Sequence, residues 1–388
     1  MKCVFLIISG SFLIFSCSRD PFVSLIDQDE ALHLNELQII ASHNSYRTRT
    51  TDTIFSFLQS IVSFLPPNLN PAELDYSHLP LADQLNDYKV RGFELDIYYD
   101  PQGGAFNTRQ INSYVGLDST SGIPELALPG FKVLHIKDID YNTHHYTFVS
   151  ALQEIKTWSS LHPNHVPLFI NVETKNDSPG DDPTLAAQGF QTAPQFDVTA
   201  ADAIDDELKS VFGNDLEGIL TPDDLRGSCS TLEDVALGKK WPSLKESRGK
   251  IIFIMEGACT AYYIQNHPSL SGRAMFVYAQ PGTPEAAFVI LNDALADFQQ
   301  IHTYVEQGYI VRTRCDAGTT QARSGDYSNM NAAFSSGAQI CSTDYYKADV
   351  RAGQLGWSAY AVFFPDNMLA RKNPVSAAGI NTYNRIDD

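Results

Sequence analysis

Polar side chains that can bind a cation follow or end three apolar stretches of the sequence. Asn44 follows the first stretch, Glu94 and Asp96 lie within the second, and Glu173 ends the third. Residues two apart in a strand share a face, so Glu94 and Asp96 would bring two carboxylates together, which is costly unless a cation or hydrogen bonds compensate. Amide and carboxylate oxygens are the ligands that Ca²⁺ prefers in proteins, and Mg²⁺ is the second choice. The four residues therefore predict a site for one divalent cation. The sequence has no cluster of cysteines and histidines with the spacing of a zinc site.

Two histidines and several cationic side chains suit chemistry on a phosphate group. His43 directly precedes Asn44, and His135 ends another apolar stretch, so both can exchange a proton beside the predicted cation. Arginine and lysine side chains can grip a phosphate through charged hydrogen bonds. We assign the substrate side of the site to Lys175, Arg312, Arg314, Asp316 and Tyr345. Two alternatives stay open, namely buried ion pairs for the arginines and a core position for the tyrosine, which would otherwise stack on a sugar or cyclitol ring.

A run of polar residues, Asp138-x-Asp140-x-Asn142, begins like a calcium-binding loop. Thr143 stands where that loop requires glycine, and Val149 stands where it requires the closing glutamate. We therefore assign no cation site to this run.

The elements that must position these residues are strands of a barrel. Apolar, β-like runs recur at residues 37–41, 91–98, 131–136, 166–172, 250–255, 275–279, 309–313 and 338–342. The clearest helical patterns between them lie at residues 81–88, 148–159, 201–212 and 285–306. Eight runs, mostly separated by helix-length segments, predict an α/β fold of the TIM or (β/α)₈ barrel type, whose active site lies at the carboxyl ends of the strands.

The sequence predicts an N-terminal leader followed by one barrel domain. Residues 1–16 have the apolar core of a signal peptide, and Cys17 follows as in a bacterial lipoprotein, which predicts lipidation of its thiol. An ordinary signal peptide with an incidental cysteine is the alternative. We expect residues 17–33 to be a tether and residues 34–388 to be a single barrel domain. The expected location is the bacterial cell envelope, with the exported protein anchored to the membrane surface through Cys17.

Two long insertions interrupt the predicted barrel, at residues 48–80 and 176–199. The first contains an apolar, helix-like piece, residues 54–65, which Pro66 and Pro67 end and whose polar members form one narrow uncharged stripe. This piece can be a lid or a membrane-touching ridge beside the site, or it can pack on the barrel. The second insertion is rich in proline, glycine and aspartate, and it can shape the substrate entrance or be a solvated loop.

The charge and the cysteines limit the partners of the chain. A net charge of −19 argues against non-specific binding to nucleic acid, so we expect no such partner. The expected oligomeric state is a monomer. Four cysteines beyond Cys17 in an exported chain favour disulfides, of which Cys229–Cys259 and Cys315–Cys341 are the most local pairing.

The order of these motifs resembles the calcium-dependent phosphoinositide-specific phospholipase C family, in its bacterial and fungal group. The matching motifs are His-Asn-Ser-Tyr at 43–46, Leu-x-x-Gln-Leu at 81–85, Glu-Leu-Asp at 94–96, Glu-Thr-Lys at 173–175, Arg-Thr-Arg-x-Asp at 312–316 and Ser-Thr-Asp-Tyr at 342–345. The resemblance implies a distorted TIM barrel and one bound Ca²⁺. It also implies cleavage of a phosphatidylinositol-type lipid, at a membrane surface, to diacylglycerol and a cyclic or acyclic inositol phosphate.

The same resemblance implies a role for each matched residue. The calcium ligands would be Asn44, Glu94, Asp96 and Glu173. Either Glu94 or Glu173 would accept the proton of the attacking inositol hydroxyl. His43 would stabilise the charged transition state, and His135 would protonate the departing diacylglycerol oxygen. The phosphate or the ring hydroxyls would be held by Lys175 and Arg314.

Two other functions are alternatives to this interpretation. The first is cleavage of a glycerophosphodiester or another phospholipid on the same barrel. Enzymes of that kind usually follow the first histidine with Arg-Gly, whereas Asn44 and Ser45 stand here. The second is a non-catalytic surface lipoprotein that binds a glycolipid or a glycan. Such a protein would be expected to have lost a cation ligand or an imidazole, and the chain keeps all of the matched positions.

Overall fold

Parallel strands form the framework of the chain in a computed structural model that describes residues 27–65 and 69–388. The strands in these residues are β1 (Leu37–Ser42), β2 (Gly92–Tyr98), β3 (Lys132–Val133), β4 (Leu168–Thr174), β5 (Ile251–Gly257), β6 (Phe276–Val277), β7 (Phe288–Ile290), β8 (Ile310–Arg314), β9 (Ile340–Thr343), β10 (Ala370–Lys372) and β11 (Arg385–Ile386). The α-helices in the same residues are α1 (Gln28–Ala31), α2 (Asp52–Ser60), α3 (Leu81–Tyr88), α4 (Ile111–Tyr114), α5 (Phe148–Leu161), α6 (Pro183–Ala186), α7 (Val198–Phe212), α8 (Pro222–Arg226), α9 (Leu232–Leu237), α10 (Leu244–Ser247), α11 (Thr260–Ile264), α12 (Phe298–Gln307), α13 (Thr320–Ser324) and α14 (Ser328–Ser336).

Eight of these strands form a barrel in the order β1, β2, β4, β5, β6, β7, β8 and β9. The paired neighbours in this order are parallel. A single parallel bridge from Tyr278, which directly follows β6, to Phe288 in β7 joins the two ends of the sheet. The predicted TIM-type α/β barrel is therefore confirmed, with a narrow seam between β6 and β7.

The barrel strands are apolar because side chains fill the interior and helices cover the outside. All residues of β1 and β2 are buried, as are the first five residues of β5. β1 and β2 approach closely where Ala41 lies opposite Gly92. A Cβ atom on Gly92 would lie 2.7 Å from the Ala41 Cβ atom, so this contact requires glycine.

Two observed elements differ from the prediction. The apolar run 131–136 supplies only β3, which lies outside the barrel and pairs antiparallel with Ile97 and Tyr98 at the end of β2. That end of β2 extends beyond its contact with β1 at Gly92, so it is available to another strand. The eighth barrel strand is instead β7, which lies within the segment 285–306, where the sequence predicts a helix. Three residues are too short a run to show strand periodicity beside a helical pattern.

The two insertions share one hydrophobic cluster at the end of the barrel where the strands terminate. In the first insertion, α2 begins after its cap residue Thr51 and buries Ile54 and Leu58. These side chains pack with Leu74 of the same insertion and with Leu185 of the second one. Part of the predicted helical piece therefore packs on the protein, which is the second of the two alternatives given above for this insertion.

Some predictions concern residues that the structure does not describe, namely the signal peptide 1–16, Cys17, and Pro66 and Pro67. Within the segment predicted to be a tether, α1 is followed by Leu32, which is fully buried in the main hydrophobic core. Leu32 therefore packs on the barrel, although it lies within the predicted tether. No helix in residues 27–65 and 69–388 has both the length and the apolar character that a membrane span needs.

The four cysteines of the described residues are free thiols in the structure, so neither of the predicted pairings, Cys229–Cys259 and Cys315–Cys341, is shown. Cys229 is half-buried, and its Sγ atom accepts a hydrogen bond of 3.6 Å from Lys240 Nζ. Cys259 is buried in the main core, whereas Cys315 and Cys341 are buried in a second cluster around β8 and β9. The three buried cysteines act as small, mainly apolar side chains in these positions.

Candidate active site

Three carboxylates meet at the carboxyl end of the barrel. Glu94 and Asp96 lie on β2, and the strand register places Asp96 beside Glu173 on β4. Each of the three offers an oxygen, and these oxygens lie within 4.8 Å of one another. Burial is the main reason why the pKa of Asp96 is raised well above its ordinary value; the Lys175 ammonium opposes this shift, and the two neighbouring carboxylates add to it. The repulsion within such a group is relieved by positive charge nearby or by protonation of one carboxylate.

Asn44 faces the same carboxylates from the loop after β1. The loop is fastened to β2, because Ser45 N–H donates to the Glu94 carbonyl oxygen at 3.0 Å and Glu94 N–H donates to Ser45 Oγ at 2.8 Å. Asn44 has a left-handed backbone, with φ +48°. One atom of its amide group lies 2.9 Å and 3.3 Å from the two carboxylate oxygens of Asp96, and the other lies 3.0 Å from Tyr76 Oη.

This Asn44 geometry tests whether the residues fit a cation. If the amide nitrogen faces Asp96, it donates to the carboxylate, and the amide oxygen accepts from Tyr76 Oη. If the amide oxygen faces Asp96, two acceptors meet and a cation is needed between them. One amide oxygen and three carboxylates are a donor set that suits a hard divalent cation such as Ca²⁺. The four predicted cation ligands therefore lie together and fit such an ion.

His43 is oriented by a buried carboxylate that an arginine also holds. Its Nδ1 atom donates to Asp344 Oδ1 at 2.7 Å, and Arg314 Nη2 donates to Asp344 Oδ2 at 2.7 Å. Burial alone would raise the pKa of Asp344, but His43 and Arg314 lower it below its usual range. The His43 Nε2 atom lies 3.4 Å from Glu94 Oε1 and 3.1 Å from Arg314 Nη1. The ring therefore presents Nε2 to the cation ligands.

His135 has the same arrangement, although it follows β3 rather than a barrel strand. Its Nδ1 atom donates to Asp140 Oδ2 at 2.8 Å, and Arg47 Nε donates to the same oxygen at 2.5 Å. Burial lowers the pKa of His135 to about 4; the hydrogen bond to Asp140 opposes the shift, and Lys175 adds to it. A phosphate anion beside the ring would favour the protonated imidazole that a general acid needs.

The carboxylates Asp344 and Asp140 were not among the predicted site residues. Asp344 directly follows β9, at the same end of the barrel as the other site residues, and this position is a signal that the sequence contains. Asp140 belongs to the run that lacks the glycine and glutamate of a calcium loop, and its observed partners are a histidine and an arginine. Both act as positioning residues, because each fixes the orientation of one imidazole.

The predicted cationic side chains divide into two groups. Lys175 and Arg314 line the cavity that contains His43 and His135. Lys175 Nζ lies 3.2 Å from Asp96 Oδ2, so it also compensates the cation ligands. Arg312 does not line the cavity, because its guanidinium is buried in an ion pair with Glu94. Arg312 therefore forms a buried ion pair, as the alternative interpretation of the sequence predicted, and does not contact the cavity.

Asp316 and Tyr345 lie behind the site rather than in it. Asp316 is fully buried and accepts hydrogen bonds from the Thr343 hydroxyl and, at 2.8 Å, from the Asp344 N–H. Burial raises its pKa to about 6, with the Asp344 charge adding to the shift. Tyr345 is buried in the second hydrophobic cluster with Tyr76 and Tyr360. The structure thus places Tyr345 in the core position that the sequence left open.

Glu256 is a further carboxylate at this end of the barrel that was not predicted. It lies on β5 directly opposite Glu173 and accepts a hydrogen bond from Asn171. Burial raises its pKa to about 7; Arg312 opposes the shift, and Glu94 adds to it. The signal in the sequence is the apolar run 250–255, which Glu256 follows at the corresponding end of the next strand after Glu173.

A cavity of about 520 Å³ lies beside Asn44 and the two histidines. Its chemically active members are His43, Asn44, His135, Lys175 and Arg314. Apolar side chains from both insertions contribute to the wall, namely Leu69, Leu74 and Leu185. Four carboxylates complete the acidic part of the wall, namely Glu73, Asp177, Asp181 and Asp182. The cavity wall therefore combines cations near the imidazoles with acidic and apolar side chains.

Comparison with known sequences identifies one family. The family described as phosphoinositide phospholipase C, Ca²⁺-dependent, matches residues 32–374 of the chain. No curated protein sequence matches the chain significantly.

Solved structures of similar fold include phospholipases C from Pseudomonas and Streptomyces. A calcium-dependent phosphoinositol-specific phospholipase C from a Pseudomonas species, in its apo form, has a TM-score of 0.51 at 13% identity, over 90% of this chain and 98% of that chain. A form of it described as a myoinositol complex has a TM-score of 0.52 at 14% identity, with the same coverage. A Ca²⁺-dependent phosphatidylinositol-specific phospholipase C from Streptomyces antibioticus has a TM-score of 0.50 at 14% identity, over 81% of this chain and 96% of that chain. At these identities the structures support the fold.

Proposed function

The chain belongs to the calcium-dependent phosphoinositide phospholipase C family, and from this membership we propose that it cleaves phosphatidylinositol-type lipids to diacylglycerol and inositol phosphate. The observation that carries the proposal is the juxtaposition of two imidazoles with the four cation ligands. Each imidazole is held by a buried carboxylate, at 2.7 Å for His43 and 2.8 Å for His135. A phosphodiesterase needs a cation for the phosphate charge and two proton-handling groups, and both are present.

Asn44, Glu94, Asp96 and Glu173 would hold one Ca²⁺ ion. When bound there, Ca²⁺ supplies positive charge beside the phosphate and lowers the pKa of the attacking inositol 2-hydroxyl. The four ligands bring three negative charges, so they would also bind Mg²⁺, but a site with several carboxylates and an amide suits the larger ion better.

We assign the acceptance of the 2-hydroxyl proton to Glu173. Glu94 is less suitable as a base, because its oxygens face Arg312 and His43. The Glu173 carboxylate is half-buried and has no side-chain hydrogen bond to any of the described residues. It is therefore the freer of the two predicted bases.

The two histidines have different roles, His43 at the phosphate oxygens and His135 at the leaving group. His43, beside the cation ligands and Arg314, stabilises the extra negative charge on the phosphate oxygens in the transition state. His135 donates a proton to the departing diacylglycerol oxygen, and Asp140 stabilises the imidazolium that this requires. Lys175 and Arg314 hold the phosphate, since both line the cavity. The first product is a cyclic inositol phosphate, which water can then open by the reverse roles of the same groups.

We also propose a location and a lipid contact. The sequence around Cys17 supports lipidation of an exported protein at the bacterial cell envelope, where its substrate lipids would be reached from a membrane surface. The exposed apolar residues of the first insertion, Val62 and Phe64, support contact of the cavity entrance with that surface.

The decisive experiment measures cleavage of phosphatidylinositol in vesicles, with release of inositol phosphates followed by ³¹P NMR. Cleavage should stop with excess chelator and return with added Ca²⁺, because the cation ligands cannot polarise the phosphate alone.

His43→Ala and His135→Ala should each lower kcat by about 10²–10⁴-fold while Ca²⁺ still binds. Glu217→Gln, at an exposed carboxylate, is the matched control. Full activity in chelator, or near-normal turnover in either histidine variant, would contradict the proposal.

A further inference from the structure

Arg312 reaches across the barrel interior from β8 and lies between two carboxylates. Its Nη2 atom forms an ion pair with Glu94, and its Nη1 atom lies 3.7 Å from Glu256 Oε1. The neutral neighbours are Asn292 Oδ1 at 3.2 Å and Ser342 Oγ at 3.3 Å. Glu94 and Glu256 are the only carboxylates within 4 Å of this guanidinium among the described residues.

The position of Arg312 creates a conflict with cation binding. Arg312 is only 3% exposed, and a buried guanidinium needs a negative partner, because an unpaired buried charge is strongly destabilising. When Glu94 binds Ca²⁺, its negative charge is shared with a dication, and the guanidinium beside it is repelled. Another carboxylate must then balance Arg312.

Glu256 is placed to be that carboxylate. The pairing of β4 with β5 sets it opposite Glu173, and Asn171 donates to its Oε1 atom, the same atom that faces Arg312. Glu256 is not part of the group of three carboxylates whose oxygens lie within 4.8 Å of one another. Its position therefore suits a partner of Arg312 better than a ligand of the cation.

We infer that Glu256 is a positioning residue that takes over the Arg312 guanidinium when Glu94 binds the calcium ion. The inference rests on the proposed function, because it requires a cation at Glu94. In the absence of the cation, Arg312 provides the positive charge at Glu94. In its presence, the ion pair moves to Glu256, and the charges of the buried site stay balanced in both states.

Calcium affinity tests this exchange without recourse to turnover. Isothermal titration calorimetry with Ca²⁺ compares the parent protein with Glu256→Gln, Arg312→Met and the double variant. Glu256→Gln should weaken Ca²⁺ binding by about 10–100-fold, because Arg312 then remains on Glu94. Arg312→Met should bind Ca²⁺ more tightly than the parent. In the Arg312→Met background, Glu256→Gln should change the affinity by less than about twofold, because the partner through which Glu256 acts is gone.

Further variants separate charge balance from folding. Glu256→Asp keeps the carboxylate and should retain most of the affinity, whereas thermal unfolding in chelator shows whether Glu256→Gln is folded. If that variant does not fold, Arg312→Met carries the test, and a Ca²⁺ affinity equal to or weaker than that of the parent would overturn the inference. Glu217→Gln is the control for a general loss of charge.

Two results would overturn the inference and leave the proposed function intact. The first is an unchanged Ca²⁺ affinity in Glu256→Gln. The second is an equal loss of affinity in the presence and absence of Arg312, which would make Glu256 a direct ligand. Absence of Ca²⁺ binding in the parent protein would overturn both this inference and the proposed function, so the two failures are distinguishable.

Discussion

Burial changes the charge that individual side chains carry, in the active site and far from it. In the site, Asp344 and Asp140 stay ionised because each has an arginine and an imidazole as partners. Glu207 on α7 has no such partner. Its Oε1 atom accepts a hydrogen bond of 2.9 Å from Phe131 N–H, and its Oε2 atom has no hydrogen-bond partner among the residues that the structure describes. Burial therefore raises the pKa of Glu207 to about 7, although Phe131 N–H and Lys132 oppose the shift.

This raised pKa predicts a pH dependence of stability. The folded protein keeps the Glu207 proton up to a pKa of about 7, whereas the unfolded chain loses it near the ordinary value of 4.5. The stabilisation is complete below pH 4.5 and is lost as the pH rises to 7, which amounts to at most about 3 kcal/mol. Glu207→Gln keeps an acceptor for Phe131 N–H but does not titrate, so its free energy of unfolding should fall less over this range.

Urea denaturation at several pH values between 4.5 and 8 measures this difference. The exposed Glu217→Gln is the control, and it should follow the parent protein at each pH. A constant difference between Glu207→Gln and the parent across the range would show that Glu207 does not titrate as the structure indicates.

At the scale of elements, the insertion that contains α2 has two different faces. Ile54 and Leu58 are buried against the second insertion, whereas Val62 and Phe64 are 46% and 83% exposed. The segment 53–65 contains no charged residue, in a chain with a net charge of −19. Its exposed apolar side thus suits the interior of a lipid surface rather than an anionic or cationic partner.

A neighbouring groove connects this apolar side to the active site. The groove has a volume of about 580 Å³ and is lined by Phe57, Ile61 and Phe64. It shares Leu185 and Asp182 with the catalytic cavity. A lipid whose headgroup occupies the cavity can therefore leave its acyl chains beside the insertion.

Removal of this apolar side should weaken the action of the enzyme on membranes. Burying one large apolar side chain contributes about 1.5–3 kcal/mol, so Val62→Ser with Phe64→Ser should lower vesicle binding and cleavage by about 10–100-fold. Cleavage of a short-chain phosphatidylinositol below its micelle concentration should be unchanged, because the cavity is intact. Vesicle sedimentation and the two cleavage rates are the measurements.

Leu161→Ser is the matched control for this variant. Leu161 is 73% exposed and lies at the end of α5, where it contributes to neither the catalytic cavity nor the groove. Its vesicle cleavage should equal that of the parent. Unchanged vesicle cleavage in the double serine variant would assign the insertion a purely structural role.

At the scale of the whole molecule, charge limits the lipids that the site accepts. The net charge of −19 repels polyanions, and the cavity wall carries Glu73, Asp177, Asp181 and Asp182. The cavity cations are already committed, since Lys175 pairs with Asp96 and Arg314 pairs with Asp344. Few positive charges remain for phosphate groups on the inositol ring.

Phosphatidylinositol should therefore be cleaved faster than phosphatidylinositol 4,5-bisphosphate. Like charges held close together cost several kcal/mol, so we expect kcat/KM to be lower for the bisphosphate by about tenfold or more. Higher ionic strength should reduce this difference in kcat/KM, because salt screens the carboxylates of the cavity wall. Glu73→Gln should also reduce the difference in kcat/KM between the two lipids, whereas the control Glu217→Gln should leave it unchanged. Equal rates on both lipids in mixed vesicles would contradict the prediction.

The sequence alone predicts the barrel fold and the group of polar side chains that we propose as cation ligands. Apolar runs and the polar residues at their ends are local patterns, and parallel strands bring their carboxyl ends to one edge. The sequence alone therefore predicts that Asn44, Glu94, Asp96 and Glu173 lie together. The same reasoning applies to Glu256, which follows the apolar run 250–255 and lies near the end of β5.

Only the tertiary structure decided which strands pair and which charged side chains contact one another. Whether the run 131–136 or the residues 288–290 enter the barrel depends on which strand edges are free, and no local pattern contains that information. The pairing of His43 with Asp344 spans 301 residues, and the pairing of Arg312 with Glu94 spans 218. Such contacts depend on burial and on distances set by the whole barrel, because the free energy of a buried charge is determined by what surrounds it in space.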